Sequence, residues 1–204
     1  MRHRIFIAIN LPENIKNKLA EYQEKRPDLP VRWIKKENLH ITLMFLGYLT
    51  DEELLEVCNI TKEIASKNQS FSINLKKIIY GPPKKIPPRL VWVQGEKSEE
   101  LGKLQKDFEN SFLASPVKGL ESESRPYTPH ITLGRVKTWE FKQIEPEERP
   151  EISEEISLSF EVSSVEIMES RLKPKGPDYF VLESLLLGVE EDKSSSSATE
   201  SRLR

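Results

Sequence analysis

The chain is poor in the residues on which several classes of functional site depend. Its 204 residues include one cysteine, Cys58, and three histidines. A single cysteine excludes an internal disulfide and gives no support to a zinc ribbon or a cysteine–histidine nucleophile site. The zinc motifs His-x-His and His-Glu-x-x-His are missing. The sequence also lacks a Gly-x-Ser-x-Gly nucleophile elbow and the glycine-rich loops that hold phosphates.

Long apolar runs are missing too. No segment is long enough to cross a bilayer, and no secretion signal is recognisable at the start, so we expect a cytoplasmic protein. The net charge of −2 gives no overall attraction for nucleic acid, and any RNA contact must therefore come from local basic patches. The length suits one domain with a sizeable core, and we expect it to be monomeric.

The apolar spacing predicts helices and strands in a mixed order. Helices are predicted at Glu13–Lys25, from a capping box at Thr50 to about Lys67, and at Ser98–Leu113. Strands are predicted at Ile5–Ile9, Leu39–Leu46, Phe71–Tyr80, Leu90–Val93, Leu158–Glu169 and Tyr179–Leu187. Leu39–Leu46 contains the first copy of a motif described below, and a further strand is predicted around the second copy. Residues 145–155 are predicted to be a polar connection. We expect one domain over residues 1–189 and a disordered, acidic and serine-rich tail over residues 190–204.

The most informative feature that is present is a duplicated tetrapeptide. His-Ile-Thr-Leu occurs at His40–Leu43 and again at His130–Leu133, and the two copies use two of the three histidines. Residues i and i+2 of a strand share a face, so each copy predicts an imidazole and a hydroxyl on one face and two core residues on the other. One such strand in each half of the chain predicts two similar lobes that face each other across a cleft.

Two imidazoles and two hydroxyls in one cleft suit phosphodiester chemistry without a metal. One imidazole can accept a proton from the attacking water or hydroxyl, and the other can donate a proton to the leaving oxygen. The threonines can donate hydrogen bonds to the phosphate oxygens. Two other interpretations stay open: the histidines are structural, or they bind a metal with His3 as the spare imidazole.

Several segments resemble the LigT-like RNA 2′,3′-cyclic phosphodiesterases, also called 2′-5′ RNA ligases, of the 2H phosphoesterase superfamily. The segments that resemble the family are Arg4–Ile9, Asn38–Gly47 and Thr128–Arg135. The resemblance covers about residues 1–189. It implies an α+β fold that is bilobal, with two pseudo-symmetric lobes, each an antiparallel sheet with outer helices, and with the active-site cleft between them.

The resemblance also implies an activity and a set of roles. RNA ends that carry a 2′,3′-cyclic phosphate would be opened to a 2′-phosphate without any cofactor or metal. The same chemistry with an RNA 5′-hydroxyl in place of water would join tRNA halves reversibly through a 2′-5′ bond. His40 would be the acid and His130 the base. The residues that would bind the phosphate are Thr42, Thr132 and Arg135, and Phe45 would stack on the terminal base.

Strand parity conflicts with two of these roles. Arg135 and Phe45 each follow a motif histidine by five residues, an odd offset that points away from the cleft on an ideal strand. A bend near Gly134 would redirect Arg135. Otherwise Arg135 is a surface arginine, and Phe45 is a core aromatic.

Two further functions stay open as well: a 2H phosphodiesterase for another 2′-linked or cyclic nucleotide, or a protein that binds RNA ends without catalysis. Local basic residues could supply an RNA-binding rim, for which the loops Gly81–Pro88 and Lys173–Pro177 are the candidates. The basic clusters are Lys35 and Lys36, Lys76 and Lys77, Lys84, Lys85 and Arg89, and Arg171, Lys173 and Lys175.

Overall fold

A computed structural model describes residues 2–83, 85–117, 127–174 and 176–188. The four helices of these ranges are α1 (Glu13–Glu24), α2 (Asp51–Lys67), α3 (Glu99–Leu113) and α4 (Thr138–Gln143). The nine strands are β1 (His3–Asn10), β2 (Val31–Trp33), β3 (His40–Leu49), β4 (Phe71–Gly81), β5 (Leu90–Gly95), β6 (His130–Val136), β7 (Ser153–Val162), β8 (Ser164–Arg171) and β9 (Asp178–Leu186).

The described strands form an antiparallel sheet in two halves. The first half-sheet has the order β9-β8-β1-β3, and the second has the order β6-β5-β4-β7 with β2 also paired to β6. The halves join through the pairing of Ile41 on β3 with Ile131 on β6. This architecture confirms the predicted bilobal α+β fold, with a seam of backbone pairing at the place where the two motif strands meet.

Two of the long helices cross from one half to the other. Helix α1 follows β1, but Gln23 on α1 donates to the carbonyl of Leu133 on β6 at 2.9 Å, and Arg26 just beyond its end pairs with Glu154 on β7. Helix α3 follows β5, but it packs against α2 and β3. Helix α1 therefore follows a strand of the first half-sheet and packs on the second, and α3 does the opposite. This exchange holds the two halves together.

The helix predictions agree with the structure to within one residue at each boundary. The capping box at the start of α2 is confirmed: the Thr50 hydroxyl accepts from the Glu53 N–H at 3.2 Å, and the Glu53 carboxylate accepts from the Thr50 N–H at 2.8 Å. Helix α3 begins after Ser98, whose hydroxyl accepts from the Leu101 N–H at 3.0 Å. Side-chain caps of this kind satisfy N–H groups that have no partner inside the helix.

The prediction of one strand at Leu158–Glu169 is wrong. The segment contains the end of β7 and most of β8, which are separated by Ser163 alone. The two strands pair with different neighbours, β7 with β4 and β8 with β1. The apolar pattern runs through the junction because both strands contribute to the same core. The sequence also carries no glycine or proline there that would mark the change of partner.

Smaller elements were also missed. The predicted polar connection at residues 145–155 contains a short 3-10 helix at Pro146–Glu148 and the first residues of β7. Strand β2 and helix α4 were not predicted, because each is too short to show a hydrophobic period. Among the described residues no helix has both the length and the apolar character needed to cross a membrane. The predicted tail at residues 190–204 lies outside the described ranges.

Candidate functional site

The two motif strands lie side by side at the seam of the sheet. The pairing of Ile41 with Ile131 centres the two copies on each other, and both isoleucines are buried in the core. The motif residues on the opposite face line one pocket, which we call the motif pocket. Its lining residues are Ile34, Asn38, His40, Thr42, Phe45, His130, Thr132, Arg135 and Tyr179. The six site residues that the sequence suggested are therefore together in one place.

Each copy of the motif contains a β-bulge at its leucine. On β3, Ile7 is opposite Met44 and Ala8 is opposite Thr42, so Leu43 is an extra residue. On β6, Val91 is opposite Gly134 and Trp92 is opposite Thr132, so Leu133 is the extra residue. One inserted residue reverses the alternation of side chains beyond it.

The bulges resolve the conflict of parity at Phe45 and Arg135. Phe45 is opposite Phe6, two positions from Ala8 on β1, so Phe45 shares a face with Thr42. Arg135 is opposite Leu90, two positions from Trp92 on β5, and shares a face with Thr132 in the same way.

The structure therefore corrects the two alternative interpretations. A core position for Phe45 is wrong, since 67% of its surface is exposed. An Arg135 that points away from the cleft is also wrong, since both side chains line the motif pocket.

The backbone fixes the tautomer of both motif histidines. Nδ1 of His40 lies 2.6 Å from the carbonyl oxygen of Asn38, and Nδ1 of His130 lies 2.8 Å from the carbonyl oxygen of Thr128. A carbonyl only accepts, so Nδ1 carries the proton in both rings. The proton-accepting nitrogen of each neutral ring is therefore Nε2. In His40 this atom accepts from the Thr42 hydroxyl at 2.9 Å.

Burial makes both histidines harder to protonate. Desolvation lowers the pKa of His40 to about 4, against the opposing effect of the hydrogen bond to the Asn38 carbonyl, and nearby Lys16 and His130 lower it further. Desolvation also lowers the pKa of His130, again against its backbone hydrogen bond. An anion in the pocket opposes this cost, because a nearby negative charge favours the protonated ring.

Anion binding to the motif pocket is therefore expected to take up protons. A tetrahedral anion such as sulfate, which does not titrate near neutral pH, should bind more tightly as the pH falls from about 8 to about 5, because the bound anion raises the pKa of one or both histidines. Calorimetry in buffers of different ionisation enthalpy measures this uptake directly. The His40→Gln,His130→Gln double variant is the control, and an equal pH dependence in it would contradict the expectation.

Three lining residues were not among the predicted site residues. Asn38 donates from Nδ2 to the Pro177 carbonyl at 3.0 Å while its own carbonyl holds His40, so it joins the β8–β9 loop to the first histidine. The Tyr179 ring meets the His40 ring edge-on, with 5.2 Å between the centroids. Asn38 precedes His40 by two residues, as Thr128 precedes His130. This repeated spacing is the feature of the sequence that could have identified Asn38. Nothing in the sequence marked Ile34.

His3, the third histidine, lies outside the site. His3 contacts Glu169 at 2.7 Å and Asp51 at 3.0 Å, and the hydrogen bond to Glu169 is the main cause that raises its pKa. Among the described residues no cluster of three or more His, Cys, Asp or Glu side chains is placed to hold a metal ion.

The described basic clusters are largely paired with carboxylates. Both Lys35 and Lys173 contact Asp178, Lys36 contacts Glu13, Lys76 contacts Glu96, and Lys77 contacts Glu155. Lys84 and Lys175 lie outside the described residues. A basic rim at these loops therefore stays a prediction.

Comparison with known proteins gives a consistent result. The family model described as LigT like Phosphoesterase matches the chain twice, at residues 9–92 and 93–179, which is one match for each motif. A curated Methanocaldococcus jannaschii protein named RNA 2′,3′-cyclic phosphodiesterase is 33% identical over 180 residues, which cover 88% of this chain and 98% of that protein.

Solved structures agree in fold. A crystal structure of a Thermus thermophilus protein superposes with a TM-score of 0.78 at 30% identity and covers 92% of this chain and 99% of its own. The crystal structure of E. coli LigT complexed with 3′-AMP superposes with a TM-score of 0.73 at 24% identity, with the same two coverages, and shares the fold.

Proposed function

The chain belongs to the LigT-like phosphoesterase family, and from this membership and the motif pocket we propose that it hydrolyses RNA 2′,3′-cyclic phosphates to 2′-phosphates without a metal. The observation that carries the proposal is the antiparallel pairing of two identical His-x-Thr strands, which lines one pocket with both imidazoles. Hydrolysis of a phosphodiester at neutral pH is helped by two proton-transfer groups, one for the attacking water and one for the leaving oxygen.

In the proposed reaction the two histidines move one proton each. Nε2 of His130 takes a proton from water, whose oxygen attacks phosphorus. The bond between phosphorus and the 3′-oxygen breaks as Nε2 of His40 gives its proton to that oxygen. The products are a 2′-phosphate and a free 3′-hydroxyl. The assignment of acid and base follows the family resemblance, and in both rings Nδ1–H stays with a backbone carbonyl throughout.

The remaining pocket residues hold the substrate in this proposal. Thr42, Thr132 and the Arg135 guanidinium bind the non-bridging phosphate oxygens and stabilise the charge that develops there. Phe45, exposed at the pocket, stacks on the terminal base, a contact worth roughly 1–3 kcal/mol per base. The negative charge of the bound diester also supports protonation of His40, because it opposes the desolvation that lowers the pKa of His40 to about 4.

The donors that line the pocket support metal independence. Its described lining residues carry two imidazoles, two hydroxyls, an amide, a phenol and a guanidinium, but no carboxylate or thiolate. Such a set stabilises an anion through hydrogen bonds and proton transfer, whereas catalytic zinc sites use three His, Cys, Asp or Glu ligands and magnesium sites use carboxylates.

A turnover assay in EDTA tests the proposal. An oligonucleotide with a 2′,3′-cyclic phosphate should be converted to the 2′-phosphate at the same rate with and without EDTA, because no step uses a metal. Chromatography against 2′- and 3′-phosphate standards identifies the product. Binding without turnover would favour the RNA-end-binding interpretation instead. Loss of turnover in EDTA, restored by added metal, would contradict the metal-free mechanism.

The same displacement with a different nucleophile gives ligation. In this extension an RNA 5′-hydroxyl replaces water, so that tRNA halves are joined through a 2′-5′ bond. We expect the protein to act on such ends as a cytoplasmic monomer.

A further inference from the structure

The two halves of the motif pocket differ at one equivalent position. Trp92 on β5 is opposite Thr132, whereas Ala8 on β1 is opposite Thr42. The neighbouring pairs continue the equivalence, since Gln94 is opposite His130 and Asn10 is opposite His40. An indole in one half therefore takes the place of a methyl group in the other, although the two motif tetrapeptides are identical.

This tryptophan stacks on a motif histidine. The rings of Trp92 and His130 are 3.9 Å apart between centroids and inclined by 24°, a diagonal contact between neighbouring strands. The ring of His40 has no such partner among the described residues: Phe6 lies tilted at 5.1 Å, and Tyr179 presents an edge. One imidazole is thus covered by an aromatic face and the other is not.

The indole is held in place by close packing against a glycine. A Cβ at Gly81 would lie 2.1 Å from Cδ2 and 2.5 Å from Cε2 of the Trp92 side chain, so the ring occupies the space that any larger residue would need. The indole N–H is buried and has no hydrogen-bond partner among the described residues. Packing against Gly81 and His130 therefore fixes the ring, and a hydrogen bond does not.

We propose that Trp92 is a positioning residue that holds the His130 imidazole and stabilises its protonated form through face-on stacking. The negative face of an indole attracts a cation, and the contact strengthens as His130 gains its proton. An interaction that is stronger in the transition state than in the ground state accelerates the reaction. The inference deepens the proposed function, since it gives a structural reason for His130 rather than His40 to be the proton acceptor.

The sign of a pKa change separates this role from simple packing. The other ionisable side chains that line the pocket are His40, Arg135 and Tyr179. A substitution at Trp92 leaves all three residues in the protein, so it neither adds nor removes an ionisable group. If the indole stabilises the imidazolium, Trp92→Leu lowers the pKa of His130. If the indole only excludes water, the same substitution relieves desolvation and raises that pKa.

The experiment is an NMR titration of the histidine rings in the wild-type protein, Trp92→Leu and Trp92→Phe. We expect a lower pKa for His130 in Trp92→Leu, little change for His40, and recovery towards the wild-type value in Trp92→Phe, which keeps an aromatic face. Turnover of the cyclic phosphate should fall about 3- to 30-fold in Trp92→Leu. The acidic limb of its pH profile should also move to lower pH.

Two control pairs keep the test decisive. Gly81→Ala displaces the indole without touching the pocket and should also lower the pKa of His130, whereas Gly102→Ala adds a methyl group in open space and should not. Trp139, 74% exposed on α4, gives the control Trp139→Leu. An unchanged or raised pKa of His130 in Trp92→Leu would overturn the inference. The titration needs no substrate, so it stands even if the wild-type protein fails to turn over the cyclic phosphate.

Discussion

His40→Gln and His130→Gln are each expected to lower kcat for the cyclic phosphate by about 10²–10⁴-fold, the range that one general acid or base contributes. Glutamine is uncharged and can still hydrogen-bond, but it cannot carry a proton to or from the reacting oxygens. Steady-state kinetics at saturating RNA, with thermal denaturation to confirm folding, measure the effect. His3→Gln is the matched control, because His3 contacts Glu169 and Asp51 outside the pocket.

The pH profiles of these variants distinguish the two roles. The wild-type kcat should be bell-shaped, since in the complex with substrate the base must be neutral and the acid protonated. His130→Gln should lose the acidic limb, which reports a base that is inactivated by protonation. His40→Gln should lose the alkaline limb. The opposite pattern would exchange acid and base, and wild-type kcat in either variant would contradict the two-histidine mechanism. The double variant should be little worse than the single ones, because both act on one transition state.

Gly134→Val is expected to have the second largest effect, since it damages both packing and the site. A Cβ at this position would lie 2.3 Å from a methyl carbon of Val31 and 2.8 Å from the Trp33 ring, so β2 could no longer pair closely with β6. Overpacking of this kind costs about 1–3 kcal/mol of stability. The bulge that directs Arg135 into the pocket would also shift, and kcat/KM should fall about 10²-fold, as on loss of a charged donor to the phosphate.

Denaturant unfolding and kinetics below the melting temperature separate the two consequences of Gly134→Val. Arg135→Ala should reproduce the loss of kcat/KM with little loss of stability, because Arg135 is exposed and makes its contacts in the pocket. Gly102→Ala, a change in open space on α3, should alter neither quantity. Wild-type stability and activity in Gly134→Val would show that the close approach of β2 is not required.

The sequence predicted the parts of this molecule that depend on local patterns. Alternation across the duplicated tetrapeptide placed His40 and Thr42 on one face, and the same holds for His130 and Thr132. The long helices followed from apolar spacing and caps. The misleading step was the extension of strict alternation past Leu43 and Leu133, where a bulge adds one residue. A bulge depends on pairing with a neighbouring strand, and a single sequence does not show which residues are paired.

Other features depend on contacts between distant segments. The stacking of Trp92 on His130 needs β5 beside β6, and the space for the indole needs Gly81 on β4. The change of partner at Ser163 needs the end of β7 in one half-sheet to lie beside the start of β8 in the other. Neither arrangement leaves a periodic signal in the chain, so both became visible only with the folded structure.

The order of strands also determines when the pocket can form as the chain is made. The first half-sheet takes β1 and β3 from the beginning of the chain and β8 and β9 from near its end, so that Ile5 pairs with Glu169. Except for β2, the whole second half-sheet lies between β3 and β8 in sequence, as β4, β5, β6 and β7. During synthesis from the N-terminus, the strand beside the His40 motif lacks its outer neighbour until β8 has left the ribosome. Because contacts so distant in sequence close slowly, the complete pocket, including Tyr179, is a late product of folding.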